Sequence, residues 1–202
     1  MAQFPDVHSF AGAQRVFAGL HIRRGSDLRV KYLKPRPNRV DDLTKSAFLN
    51  RPDLHVETEG EFKGWRTWSR DNFESHNGPF WHRMEDDGQI RCAFRVEKKH
   101  LNGMSNVHGG AFMAFADYCL FAMAAPVLQG PGVTVSFACE FLDAAREGEL
   151  VEGTGEIMRA GGSMIVLRGV LKSAERSLFT FSGTIKRVKR RMPAVPGQES
   201  KS

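Results

Sequence analysis

Hydrophobic and polar side chains alternate with a period of two over residues 89–97. Ile90, Cys92, Phe94 and Val96 interleave with Gln89, Arg91, Ala93 and Arg95, which predicts a strand with one buried face. Asp86-Asp87-Gly88 is a hairpin-turn signal and pairs this strand with residues 80–84. The period then changes. From His108 to Ala125 the chain reads His-Gly-Gly-Ala-Phe-Met-Ala-Phe-Ala-Asp-Tyr-Cys-Leu-Phe-Ala-Met-Ala-Ala, one long helix opened by Gly109-Gly110 and expected to stop at Pro126. After the turn Gln129-Gly130-Pro131-Gly132 the period of two returns. Val133, Val135, Phe137, Cys139 and Phe141 alternate with Thr134, Ser136, Ala138 and Glu140. Strands are expected again at 150–158, 163–172 and 178–188, parted by Gly161-Gly162 and by a turn near Ala174-Glu175-Arg176.

The helix is apolar nearly all round, so most of its surface must be covered. Residues 111–128 are long enough to consider as a membrane span, but Asp117 inside the run and Pro126 near its end favour a buried core helix and no membrane partner. Two strands, one helix and four strands predict an α+β fold: an antiparallel sheet wrapped around one long central helix, the hotdog architecture. Such a sheet keeps exposed edges, and pairing two copies edge to edge removes one of them.

The N-terminal part has a different texture. Residues 1–60 read as a basic extension, with a short amphipathic stretch over 11–20, the rigid Lys34-Pro35-Arg36-Pro37-Asn38 and a short helix over 40–49. Residues 61–190 form the domain and 191–202 a tail. Phe62, Trp65 and Trp68, followed by Phe73, are expected in a short helix or an irregular packed segment.

Charge follows the same division. Residues 1–40 carry eight basic side chains against Asp6 and Asp27, +6; residues 41–185 carry 15 basic and 20 acidic, −5; residues 186–202 carry six basic against Glu199, +5. The net charge of +6 therefore comes from the two ends, and a nucleic-acid partner, which would rest on those ends alone, is not expected. Cys92, Cys119 and Cys139 have no paired spacing, which argues against a disulfide framework and for a reducing cytoplasm. His82, His100 and His108 lack the spacing of metal ligands, and no metal or cofactor is expected.

Candidate chemistry gathers on the helix. The first amides of a helix have no internal partner and lie at its positive end. Glycines at 109 and 110 leave them open to a ligand oxygen, which suits a polarised carbonyl or an oxyanion. Asp117 lies seven residues past Gly110 and stands among apolar neighbours, where an ionised carboxylate is costly unless it is hydrogen-bonded or working. The alternative for Asp117 is a satisfied core acid. For His108 it is a cap on a loop, for Asn102 a turn residue and for Thr134 a plain strand residue.

Taken together, these residues resemble a known family. His108-Gly109-Gly110, Asp117 nine residues past the histidine, Asn102 six before it, Gly132-Val133-Thr134-Val135 and Gly148 within Arg146-Glu147-Gly148-Glu149 are similar to the phenylacetyl-CoA thioesterase type (PaaI-like) of single-hotdog acyl-CoA thioesterases, over about residues 73–188. The resemblance implies hydrolysis of an acyl-CoA at a dimer interface, in a homodimer or homotetramer. It implies that Gly109 or Gly110, the former the better match, polarises the thioester carbonyl and that Asn102 adds a hydrogen bond there. Asp117 would activate water or attack directly, and His108 would support the loop. Thr134 stands where the family often has a serine that places the water. Arg159, with Gly161, Gly162 and Ser163, is the candidate contact for the CoA phosphates, against a plain surface role. Two departures stand out: the added methyl of Thr134, and the bulky Tyr118-Cys119-Leu120-Phe121 after the acid.

Two rivals remain at the level of sequence. An enoyl-CoA hydratase on the same fold uses a proline-containing loop before the helix, whereas residues 102–107 contain no proline. A non-catalytic acyl-CoA sensor with a DNA-binding head would need a recognition helix in the extension, where prolines interrupt it.

Overall fold

The computed structural model describes residues 54–68, 72–128 and 130–188. The first 53 residues of the expected extension, and the C-terminal tail, lie outside them. Eight antiparallel strands form one sheet: β1 (Leu54–Val56), β2 (Arg66–Trp68), β3 (Trp81–Met84), β4 (Ile90–Arg95), β5 (Gly132–Phe141), β6 (Leu150–Ala160), β7 (Met164–Ser173) and β8 (Arg176–Arg187), in the spatial order β1-β2-β3-β4-β6-β7-β8-β5. A short helix α1 (Asn72–Asn77) precedes β3, and the central helix α2 (Gly109–Leu128) lies between β4 and β5 in the chain. The α+β hotdog expectation is met.

The sheet curls around α2 because α2 offers it apolar surface on several sides. Phe112, Phe115, Cys119, Leu120, Met123 and Leu128 are all buried against Val151, Ile165, Leu167, Leu171, Phe179 and Ile185. Close approach is bought with missing side chains: a Cβ at Gly153 would sit 2.6 Å from the Cys119 sulfur, and one at Gly183 would overlap Leu120. At the β3–β4 hairpin, Gly88 takes the left-handed backbone (φ 81°) and its N–H donates to the Glu85 carbonyl at 2.9 Å, as the Asp-Asp-Gly signal predicts.

Four local expectations are corrected. The sheet begins at Leu54–Val56, inside the segment assigned to the extension. Residues 61–64 turn and 66–68 form β2, where a short helix or an irregular packed segment was expected. Trp65 and Phe62 then pack on the outer face of the sheet against Trp81, which buries Ala93 on the face expected to be solvated. Finally, α2 runs through Pro126 to Leu128. In the last turn the missing proline N–H removes only one backbone bond, and the Arg187 guanidinium caps the end by donating to the carbonyls of Val127 and Leu128, the latter at 2.6 Å.

One polar pair lies deep in this apolar interior. His82 Nδ1 and the Tyr118 hydroxyl share a 2.7 Å hydrogen bond, with Trp68 edge-on to Tyr118 at 4.5 Å. Burial, aided by the nearby charge of Arg66, pushes His82 down to about 3, so the ring is neutral in the folded chain at neutral pH. A histidine depressed on folding contributes stability that is complete above its unfolded pKa, about 6.5, and is lost as pH falls toward the folded value. The urea midpoint is therefore expected to drop between pH 6.5 and pH 4, and to drop less in His82→Gln; equal slopes would remove His82 as the cause. Tyr118→Phe, which orphans the imidazole, is expected to cost about 1–3 kcal/mol in the same assay.

Candidate active site

The approach to α2 is built by two histidines and an asparagine. His100 is buried, accepts from Glu97 N–H through Nδ1 (2.8 Å) and donates through Nε2 to the Asn77 carbonyl (2.6 Å). Its own carbonyl accepts from His108 N–H at 2.7 Å, which fixes where the helix starts. Between them, Asn102 folds the loop on itself: Oδ1 accepts from the N–H groups of Met104 (2.8 Å) and Asn106 (3.3 Å). Those bonds leave the Asn102 Nδ2 group as the donor for anything outside the loop.

His108 is the helix cap. Its Nδ1 accepts from Gly110 N–H at 2.9 Å and its carbonyl from Ala111 N–H at 2.8 Å. This separates the two glycines, which the sequence left as alternatives. The Gly110 amide is occupied by the imidazole, whereas the Gly109 amide makes no hydrogen bond among the described residues. Gly109 is thus the open donor at the positive end of the helix.

Asp117 lies two turns on, half-buried, on the one stripe of α2 that the sheet leaves uncovered. Gly110 and Met113 are exposed on this stripe and Phe121 is half-buried; Asp117 is its only charge. Thr134 Oγ1 donates to Asp117 Oδ1 at 2.6 Å. Burial raises the Asp117 carboxyl above the usual carboxylate range, and the Thr134 bond opposes part of that rise.

Thr134 reaches Asp117 because β5 carries a bulge. Thr134 pairs with Ile185 and Ser136 with Thr184, so Val135 has no partner on β8. Plain alternation from Phe137 would turn Thr134 outward and Val133 and Val135 inward. The extra residue reverses this: Thr134 faces the helix, and Val133 and Val135 are exposed. Val133 and Val135, which alternation groups with Phe137 and Cys139, thus lie on the opposite face from them.

The predicted site residues thus fall into three groups. Asp117 and Thr134 touch. Asn102, His108, Gly109 and Gly110 gather at the N-terminal end of α2, about 12 Å from Asp117 along the helix axis. Gly161, Gly162 and Ser163 form the β6–β7 turn at the opposite end, where Arg187 N–H donates to the Ser163 carbonyl at 2.8 Å. There a cleft of about 230 Å³ is lined by Leu128, Pro131, Gly161, Gly162, Arg187 and Val188. Arg159 is exposed on β6 opposite Val166. Sequence reasoning missed Arg187 at this cleft and Phe141 at the other end of β5. Alternation groups Phe141 with Phe137 and Cys139, yet it is 55% exposed with its ring against Gly109.

A single long helix held in an antiparallel sheet, glycine-opened at one end and carrying a hydroxyl-bonded carboxylate midway, defines a hotdog domain. Residues 104–191 match the thioesterase superfamily. A Pseudomonas aeruginosa protein that carries an esterase name is 33% identical over 108 residues, spanning 52% of this chain and 81% of that one. Human acyl-coenzyme A thioesterase 13 is 26% identical over 94 residues, 46% of this chain and 67% of that one. The E. coli PaaI protein from the phenylacetic acid degradation operon shares the fold with a TM-score of 0.53 at 20% identity, over 59% of this chain and 86% of that one. The chain belongs to the thioesterase superfamily.

The raised Asp117 carboxyl has a consequence for stability. A carboxyl whose pKa is raised by folding favours the fold while protonated, and this contribution is lost as pH rises through the raised value. Asp117→Asn removes that cost and keeps an acceptor for Thr134. Its melting temperature is expected to match or exceed the parent's at neutral pH, with the gap closing as pH falls below the raised pKa. A variant less stable than the parent at neutral pH would mean that the charge itself supports the fold.

Proposed function

We propose that the protein is an acyl-CoA thioesterase that hydrolyses its substrate to a free acid and CoA, with Asp117 as the general base. The observation that carries this reading is the bond from Thr134 to a half-buried Asp117 on a helix whose Gly109 amide is open. The raised pKa makes Asp117 a better base than an ordinary surface carboxylate. In the proposed cycle Asp117 takes a proton from water, and the water oxygen bonds to the thioester carbonyl carbon. Negative charge gathers on the carbonyl oxygen, where the Gly109 N–H donates to it. The carbon–sulfur bond then breaks as the carbonyl re-forms, and the leaving thiolate takes the proton held by Asp117, which restores the carboxylate. Thr134 orients the carboxylate, and the Asn102 Nδ2 group is a second donor beside the helix end.

About 12 Å separates Gly109 from Asp117 along one helix, too far for one carbonyl and its water. The edge strand β5 supplies a solution. Among the described residues it pairs with β8 on one side and with no strand on the other. Thr134, near its start, meets Asp117, and Phe141, at its end, meets Gly109. A second copy pairing antiparallel along β5 sets the start of one strand beside the end of the other. In this homodimer Gly109 faces the partner's Asp117, and two equivalent sites form. A homotetramer would stack two such pairs. Residues Arg159, Gly161, Gly162 and Ser163 are proposed as contacts for the CoA phosphates, and the free thiols Cys92, Cys119 and Cys139 suit a reducing cytoplasm.

The test is free-thiol release from a panel of acetyl-, hexanoyl-, palmitoyl- and phenylacetyl-CoA. Asp117→Asn is expected to keep the fold and lower turnover at least about 100-fold, the scale of a positioned acid–base group. Near-parental turnover would remove Asp117 as the base, and no release from any thioester would remove the reaction.

A further inference from the structure

An aromatic ring stands beside the open amide with most of its surface unused. Phe141 closes β5 and turns its side chain toward the helix. It meets Phe179 edge-on at 4.9 Å, which fixes the ring from behind, and Phe179 in turn lies 5.8 Å from Phe112 on α2. The ring's leading edge lies so close to Gly109 that a Cβ there would be 2.9 Å from Cε1 and 3.2 Å from Cζ. The ring thus occupies the space a side chain at 109 would need, yet in the single chain it remains 55% exposed, at the end of the edge strand along which the proposed homodimer pairs. Met113, one helical turn past Gly109 on the same face, is 44% exposed. No charged side chain of α2 other than Asp117 enters this stripe.

A core phenylalanine would be covered, and a surface strand end would not need a ring braced by a second one. We propose that Phe141 is the specificity-determining wall of the acyl slot: an acyl group whose carbonyl oxygen sits on the Gly109 amide lays its first carbons along the exposed face of this ring, with Met113 as the floor. The wall and floor are apolar and uncharged. They select uncharged acyl groups long or flat enough to cover the ring, such as phenylacetyl or hexanoyl, over acetyl and over acyl groups ending in a carboxylate. Ring and amide belong to the same chain, so the contact is built before any second copy arrives. This inference rests on the thioesterase reading above and names its substrate class.

The experiment compares parent, Phe141→Ala and Phe141→Leu on phenylacetyl-, hexanoyl-, succinyl- and acetyl-CoA, with free CoA as competitive inhibitor. The parent is expected to favour the first two. Phe141→Ala is expected to lower kcat/KM for them about tenfold or more, within the range a hydrophobic pocket can discriminate. Most of the loss should be in KM, while acetyl-CoA stays within about twofold. Phe141→Leu should recover hexanoyl-CoA more than phenylacetyl-CoA, and the inhibition constant of free CoA should not move. An equal loss on all four substrates would make Phe141 a mere support of the helix end and overturn the proposal. A rise in the CoA inhibition constant matching the rise in KM would put the ring on the CoA arm and also overturn it. A parent inactive on every thioester would instead fail the thioesterase reading itself, and the wall with it.

Discussion

A helix of twenty residues with one charge must be wrapped, and the wrapping decides everything else. The sheet needs length and curvature to enclose α2, and it reaches close contact only where β6 and β8 give up side chains at Gly153 and Gly183. Eight strands still leave one stripe of the helix open. That stripe contains the single carboxylate and, at its end, the single unoccupied glycine amide. The interior of this fold is therefore conventional, and the groups proposed to react lie along the seam where wrapping stops. Exposure on that seam is what lets Asp117 meet water at all. Partial burial is what lifts its pKa.

Position along the seam is controlled from both sides. The histidine pair on the approach to α2 fixes where the helix begins, since the His100 carbonyl holds His108 and the His108 ring holds Gly110. On the other side β5 lies alongside and touches the helix at two places, by Thr134 and by Phe141. The same strand is an open edge of the sheet. One element thus touches the carboxylate, touches the helix end and offers the surface by which two copies can meet. In the proposed reading, a large share of the chemistry therefore falls on this edge strand.

Much of this was legible in the sequence and part of it was not, for identifiable reasons. The long apolar run with Asp117 inside it announced both the helix and its unusual acid, because a charge in such surroundings has few explanations. Gly109-Gly110 after His108 marked the helix start. What the pattern could not tell was which glycine amide stays open, since that depends on where the His108 ring turns. Alternation alone would set Val133 and Val135 inward and Thr134 outward, and the bulge inverts all three; only the family resemblance pointed to Thr134. The same rule misread Ala93, whose second face is covered by Trp65 and Trp81 from a segment with no clear period of its own. Helix α2 outlasted Pro126 because Arg187, about sixty positions on, supplies the end cap, a long-range bond that no local signal announces. Phe141 was hidden for a simpler reason. An exposed aromatic and a buried one are the same letter.

The unpaired residue of β5 gives the protein an asymmetric tolerance to change. Val135 is exposed and has no partner on β8, so its identity matters little to the fold of the single chain. Its presence, by contrast, sets the phase of the strand. A strand one residue shorter would turn Thr134 away from Asp117 while leaving the composition of the chain almost unaltered. Drift at this place is thus free in letters and forbidden in length. The site is encoded partly as a count, which a comparison of residue types alone does not read.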